Sequence, residues 1–127
     1  MSLRSPLGRV LGHGAAKEGV HHWWIQRLTS IALIPLSIWF LISLLALPSL
    51  DYATVHAWAA QTWTALLLVL FIGISAWHSK LGVQVVIEDY VHGGTKTLSL
   101  ILSTFAHSLV AAAAIFAVLK VAFGIAQ

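Results

Sequence analysis

The chain has 127 residues, of which 59% are hydrophobic and only 9% are charged, and its mean hydropathy is +0.90. Because soluble domains carry about 25% charged residues and small ones leave much of their area in water, this composition excludes an ordinary soluble domain and indicates lipid as a second apolar solvent. The absence of cysteine excludes disulfides and thiolate-held metal or iron–sulfur sites, and a formal net charge of +3 with dispersed Lys and Arg argues against nucleic-acid binding.

The first segment, residues 1–22, is basic but contains neither an uninterrupted apolar region nor a small-residue cleavage pattern. It is therefore not typical of a signal peptide. We expect a solvated or interfacial arm on the cytoplasmic side. Its positive side chains are Arg4, Arg9 and Lys17.

Three apolar stretches follow, and each reaches the ~20 residues that a membrane-spanning helix needs. Backbone amides in lipid must be paired within their own segment, so these stretches are expected to be helical. We predict helices over about 24–48, 55–87 and 97–123 in an all-α protein with a single membrane-anchor domain, 1–127. Pro35 lies inside the first helix and predicts a kink.

The loops predict the orientation of these helices. The segment before the first helix is basic, the loop at about 48–54 has no Lys or Arg, and Lys80 and Lys96 flank the second loop. Lys and Arg accumulate on the cytoplasmic side, which predicts an N-in/C-out topology. The residues expected in interfacial aromatic belts are Trp23, Trp24 and Trp58.

His78 lies in a polar interruption of the second stretch, residues 77–80, and Gly82 follows one turn later on the same helical face. Imidazole is a common axial ligand of haem iron, and a small neighbouring residue lets a flat macrocycle lie against the helix. A neutral His that hydrogen-bonds to a neighbouring helix explains the same spacing, and from the residues alone it is the favoured interpretation. For His107, midway along the third stretch, we favour the interhelical hydrogen bond.

Asp89 and Tyr90 form the second polar group. Asp89 follows His78 by eleven residues, so a continuous helix places both on one face, about 16 Å apart along the axis. A Tyr beside an acid at the membrane edge can donate a hydrogen bond to a quinone carbonyl. From the residues alone, a solvated loop start with an interfacial Tyr is the favoured interpretation.

Arg27 lies about one turn into the first helix. It can pair with a haem propionate or an acidic partner, and it can equally be a snorkelling interfacial anchor. The two residues that follow at Thr29 and Ser30 are expected to hydrogen-bond back to their own helix.

These segments resemble a known family. The residues that carry the likeness are Gly19-Val20-His21 followed by Arg27 and Thr29, and then the segment HSKLGVQVVIEDYVH beginning at His78. With three helices in an N-in/C-out topology, this pattern resembles the small hydrophobic membrane anchor of bacterial succinate dehydrogenase, respiratory complex II, especially its alphaproteobacterial members.

The resemblance implies a multi-pass protein of the bacterial inner membrane that works beside a sister anchor of the cytochrome b type, an iron–sulfur subunit and a flavoprotein subunit. It implies that His78 supplies one axial ligand to the iron of haem b and that the sister anchor supplies the other, with Gly82 packing on the haem and Arg27 near its propionates. It further implies that Tyr90 hydrogen-bonds to ubiquinone and that Asp89 lies beside it, orienting an Arg of the sister anchor.

The resemblance implies a non-flavin subunit of a quinone-reducing multisubunit enzyme, and it leaves open whether the chain has activity alone. One alternative is a fumarate reductase anchor, in which quinol flow runs the other way, and whose haem-free forms lack the axial His. Another is a non-redox membrane accessory protein, in which His78 only forms an interhelical hydrogen bond.

Overall fold

The computed structural model describes residues 18–124, which fold into four helices with no strand among them. The helices are α1 (Glu18–Leu45), α2 (Tyr52–Ala60), α3 (Thr62–Tyr90) and α4 (Gly94–Ala122). By length and composition, α1, α3 and α4 can each cross a membrane, whereas α2 is too short. The prediction of an all-α protein with three membrane-spanning helices is therefore confirmed.

The first helix begins earlier than predicted. Residues 18–22, which the sequence places in the arm, form the first turn of α1, and this helix continues without a break through Pro35. The remainder of the predicted arm, residues 1–17 with its three basic side chains, lies outside the described residues. The N-in/C-out orientation remains a prediction from the loop charges.

The second stretch, predicted as one helix over 55–87, is divided at Gln61. The backbone of Gln61 is extended (φ −65°, ψ 132°), so α2 ends there and α3 begins with the next residue. The polar interruption at 77–80, in contrast, does not disturb α3, which continues to Tyr90. His78 and Ser79 in this interruption form hydrogen bonds to neighbouring helices, and this pairing lets them lie in a continuous helix.

Asp51 begins α2 as its N-cap. Its carboxylate accepts a hydrogen bond from the Thr54 backbone N–H at 2.9 Å and from the hydroxyls of Ser49 and Thr54. The Ser49 hydroxyl and then these Thr54 contacts lower the pKa of Asp51 to about 2. The cap therefore stays ionised at any physiological pH and is lost only as the pH falls towards 2.

Helix α3 is the centre of the fold. It packs against both α1 and α4, α2 packs against α3 and α4, and within residues 18–124 the backbones of α1 and α4 do not approach each other. The most buried side chains all belong to α3: Thr64, Ala65, Leu68 and Leu81. The outward apolar faces of α1 and α4 are exposed in the isolated chain, as expected for surfaces that meet lipid or a partner helix.

Aromatic rings connect α1, α2 and α3. The Trp58 ring stacks on Trp39 with centroids 6.3 Å apart, and Phe40 stacks on Phe71 at 5.1 Å. The sequence predicts Trp58 in an interfacial aromatic belt. In the structure its ring packs against other rings of the chain instead. At this end of the molecule the outward-facing indole is Trp63, which is 76% exposed.

Candidate functional site

His78 is half-buried on α3 and faces α1. Its Nδ1 lies 2.9 Å from Thr29 Oγ1, and Thr29 Oγ1 is also 2.8 Å from the Ile25 carbonyl oxygen. A hydroxyl has one hydrogen to donate, and the carbonyl can only accept it. Thr29 therefore accepts from the Nδ1–H of His78. In this tautomer Nε2 of the neutral ring is unprotonated and carries a free lone pair, as a metal ligand requires.

The side chain of Gln26 lies next to that lone pair. Its Nε2 is 3.5 Å from His78 Nε2, at the long limit of a hydrogen bond, and its Oε1 is buried without a partner in the described residues. A Cβ added at Gly82 would approach the same Gln26 Nε2 at 3.9 Å, an ordinary contact distance. The space beside His78 and Gly82 is thus bordered by the end of a flexible side chain and not by backbone.

Arg27 does not join this group. Its guanidinium carbon is 5.4 Å from the ring centroid of Trp23, one turn earlier on α1, and its side chain is exposed. Gln26, the preceding residue, faces α3, and successive helical residues point about 100° apart. Arg27 therefore lies away from the contact with α3, stacked on an interfacial indole.

Asp89 and Tyr90 lie at the end of α3. Because α3 is continuous from His78 to Tyr90, Asp89 shares a helical face with His78, three turns away. Both side chains are exposed, Tyr90 to 80%, and neither forms a side-chain hydrogen bond within residues 18–124. Any pocket that they line must therefore be completed by groups outside residues 18–124.

The adjacent Glu88 is held by its neighbours. Its Oε1 accepts a hydrogen bond from Gln84 Nε2 at 2.8 Å, and its backbone carbonyl accepts one from Lys96 Nζ at 3.3 Å. The first contact lies within α3, and the Lys96 contact links the last turn of α3 to the start of α4. They leave Asp89 and Tyr90 as the outward-facing polar residues of this turn.

His107 on α4 has both ring nitrogens engaged. Its Nδ1 is 2.8 Å from the Ser103 carbonyl oxygen and donates to it, and its Nε2, 3.2 Å from Ser79 Oγ, accepts from that hydroxyl. The predicted interhelical hydrogen bond of His107 is confirmed. This histidine joins α4 to α3 and has no free lone pair for a metal.

Removing this link should weaken the contact between α3 and α4. We expect Ser79→Ala to cost about 0.6 kcal/mol, the mean for interhelical hydrogen bonds in membranes, and no more than ~1.7 kcal/mol. A double-mutant cycle with His107→Phe, read from the release of this protein during detergent titration of the complex, measures the coupling. Ser75→Ala, one turn earlier, is the control, and additive effects of Ser79→Ala and His107→Phe would contradict the assignment.

Sequence reasoning missed the partners of His78. Thr29 and Ser30 do bond back to their own helix, as predicted, with Ser30 Oγ 2.8 Å from the Gln26 carbonyl oxygen. The additional contact of Thr29 with α3 is not among the sequence predictions. A signal was available, because His22, Gln26 and Thr29 recur at helical spacing along one face of a largely apolar helix.

The described residues contain no group of three or more His, Asp or Glu side chains that could hold a metal ion. His78 offers one nitrogen.

Residues 1–120 match the family of succinate dehydrogenase/fumarate reductase transmembrane subunits. The chain belongs to this family. The resemblance inferred from the sequence is confirmed, and the protein is a multi-pass membrane subunit that associates with the other subunits of such a complex.

Three individual relatives agree with this family assignment. The chain is 33% identical over 106 residues to the succinate dehydrogenase hydrophobic membrane anchor subunit of Rickettsia conorii, covering 81% of this chain and 84% of the relative. The protein of the same name from Rickettsia bellii is 37% identical over 90 residues, covering 70% and 71%. That from Paracoccus denitrificans is 30% identical over 124 residues, covering 98% and 96%. No solved structure matches the chain significantly.

Proposed function

We propose that this chain is the hydrophobic membrane anchor of a bacterial succinate dehydrogenase, and that it holds haem b and part of a ubiquinone site together with a sister anchor. Its family and the three relatives described above, each named as a succinate dehydrogenase anchor, support the first part. The family includes fumarate reductase subunits, so it is the names of those relatives that favour a succinate dehydrogenase over the fumarate reductase alternative. Membership of the family argues against a non-redox accessory role. The observation that carries the haem assignment is the hydrogen bond from His78 Nδ1 to Thr29.

The residues around His78 fit a haem. Nε2 is the unprotonated nitrogen, Gly82 places no side chain beside it, and the amide of Gln26 is the group that must move aside. A haem supplies reversible one-electron transfer when it is bound. The chain's own contribution is to provide one axial nitrogen and to fix the imidazole orientation through Thr29. Arg27, near the same end of α1, would have to leave the Trp23 ring to reach a propionate.

The proposed quinone site uses the end of α3. Reduction of ubiquinone to ubiquinol takes two electrons and two protons, so the site needs hydrogen-bond donors near water. The Tyr90 phenol donates to a quinone carbonyl, and the Asp89 carboxylate pairs with an Arg of the sister anchor. Electrons arrive from the iron–sulfur subunit, which receives them from the flavoprotein subunit. The exposure of both side chains in the isolated chain supports a pocket completed by those partners.

The predicted topology supports this position of the site. With the N-terminus inside, the loop that follows Tyr90 faces the cytoplasm, where succinate is oxidised and protons are available. This orientation rests on the distribution of Lys and Arg in the loops.

Thr29→Val tests the haem assignment without removing the ligand. Valine keeps the shape of threonine but cannot accept the Nδ1–H of His78, so the ring loses its orientation and Nδ1–H is left unpaired. We expect haem retention to weaken by about tenfold or more, the usual effect of removing an outer partner of a metal ligand. The measurement is haem content per complex during detergent titration.

Thr29→Ser is the matched control, because it keeps the hydroxyl and should retain haem like the wild type. Equal haem content in all three complexes would mean that Thr29 does not orient the ligand.

A further inference from the structure

The contact between α1 and α3 contains buried polar atoms whose hydrogen bonds are incomplete. We call it the α1–α3 seam and define it by Gly19, His22 and Gln26 on α1 and by Gln84 and Glu88 on α3. Within the described residues, His22 Nε2 and Gln26 Oε1 are buried and have no partner. They lie one turn apart on one face of α1, and a buried polar atom without a hydrogen bond destabilises the fold.

A cavity lies at the end of the seam. It has a volume of about 230 Å³ and is lined by Gly19, His22, Gln84 and Glu88. Gly19 contributes no side chain, and a Cβ added there would meet nothing within 4 Å. A water molecule needs only about 10–15 Å³ of such space together with two to four polar partners, so several molecules fit.

The polar groups of the seam form a series along the two helices, in which Gln26 lies beyond the residues that line the cavity. Glu88 accepts from Gln84 at 2.8 Å at the outer end, and both residues share the cavity with His22. Gln26 follows His22 by one turn and reaches His78, with 3.5 Å between their Nε2 atoms. The series thus extends from an exposed carboxylate at the end of α3 to the histidine proposed to bind iron.

Water satisfies these atoms better than other occupants. A lipid acyl chain in the cavity would leave His22 Nε2 and Gln26 Oε1 without hydrogen bonds. A side chain from a partner protein would have to pass between two packed helices to reach both atoms. Water can donate to both atoms and bridge from one turn to the next.

We propose that the α1–α3 seam binds a short file of water molecules that connects Glu88 to Gln26 and thereby to His78. The file itself does not depend on haem. Its consequence for the cofactor rests on the proposed function. When the Gln26 amide leaves His78 Nε2 to make room for iron, water takes over the hydrogen bonds of that amide. Iron binding therefore leaves no polar group without a hydrogen bond.

The chain has no cysteine, so single-cysteine variants can report on the seam. The test compares Gln26→Cys with Leu28→Cys in the intact complex in membrane vesicles, using a small water-soluble methanethiosulfonate reagent. Leu28 is 65% exposed on the outside of α1 and lies about 3 Å deeper along the helix. Because thiolate forms only where water is present, we expect Gln26→Cys to react at least tenfold faster. The wild-type complex gives the background from the other subunits.

Equal, slow labelling of both variants would show a dry seam and overturn the proposal. Equal, fast labelling would show that this depth is open to water all around α1, which would also overturn it. If Gln26→Cys does not assemble, the pair His22→Cys and Trp24→Cys gives the same comparison, since Trp24 is 60% exposed. The haem spectrum of a His78→Ala complex separates the two ideas, because rapid labelling of Gln26→Cys together with an unchanged spectrum in His78→Ala supports the water file and contradicts the haem assignment.

Discussion

Replacement of His78 by alanine is expected to abolish the b-type haem signal in the reduced-minus-oxidised spectrum of the purified complex, or to remove its bis-histidine character. The physical reason is that Nε2 of His78 is the unprotonated nitrogen left free by the Thr29 hydrogen bond, and alanine offers no substitute ligand. The loss should fall on the haem and leave the membrane-spanning helices in place. Succinate oxidation with an artificial acceptor measures whether the complex has assembled.

The matched control for this variant is His107→Ala, which removes the histidine that links α4 to α3. Both ring nitrogens of His107 are engaged by Ser103 and Ser79, so its removal should lower stability but leave the haem spectrum unchanged. An unchanged spectrum in His78→Ala would contradict the haem assignment. Loss of haem in both variants to the same degree would indicate a general loss of packing instead.

Replacement of Tyr90 by phenylalanine is expected to lower succinate:ubiquinone activity about tenfold or more, while succinate oxidation with an artificial acceptor persists. The variant removes one hydroxyl from a side chain that is 80% exposed at the end of α3, so the fold loses no internal hydrogen bond. A quinone carbonyl bound without that donor is left unpaired in a desolvated site, and tenfold corresponds to about 1.4 kcal/mol. Steady-state assays with the two acceptors measure both activities.

The chain provides a close control for Tyr90, because it contains only one other tyrosine. Tyr52 is 79% exposed at the start of α2, at the opposite end of α3, and Tyr52→Phe should leave both activities at wild-type levels. Full quinone activity in Tyr90→Phe would remove the phenol from the mechanism. Equal loss of both activities would indicate misassembly.

The sequence predicts the three spanning helices because their length and apolar character are properties of single segments in lipid. It does not predict the break at Gln61, since neither glycine nor proline lies there. The short helix α2 depends on a tertiary contact, because Trp58 stacks on Trp39 of another helix. It also depends on a local cap, because Asp51 accepts a hydrogen bond at the start of the helix. The early start of α1 is missed because its first turn is polar.

For the candidate site, helical spacing alone predicts that His78 and Asp89 share a face, since both lie on α3. It cannot predict which helix packs against that face. The contact of His78 with Thr29 and Gln26 therefore emerges only from the structure. The position of Arg27 also emerges only once the packing of α1 is known. Because Gln26 faces α3, the next residue, Arg27, points away from α3 and lies on Trp23.

The central position of α3 has a consequence for biosynthesis. Of the spanning helices, α1 leaves the ribosome before α3 and α4, and it carries the face formed by His22, Gln26 and Thr29. Among the described residues, α3 is the spanning helix that packs against α1, and it enters the bilayer after the loop and α2 have been translated. During this interval the polar face of α1 must border lipid, water or another protein. The order of synthesis thus makes the insertion of α3 the step that commits the chain to its fold.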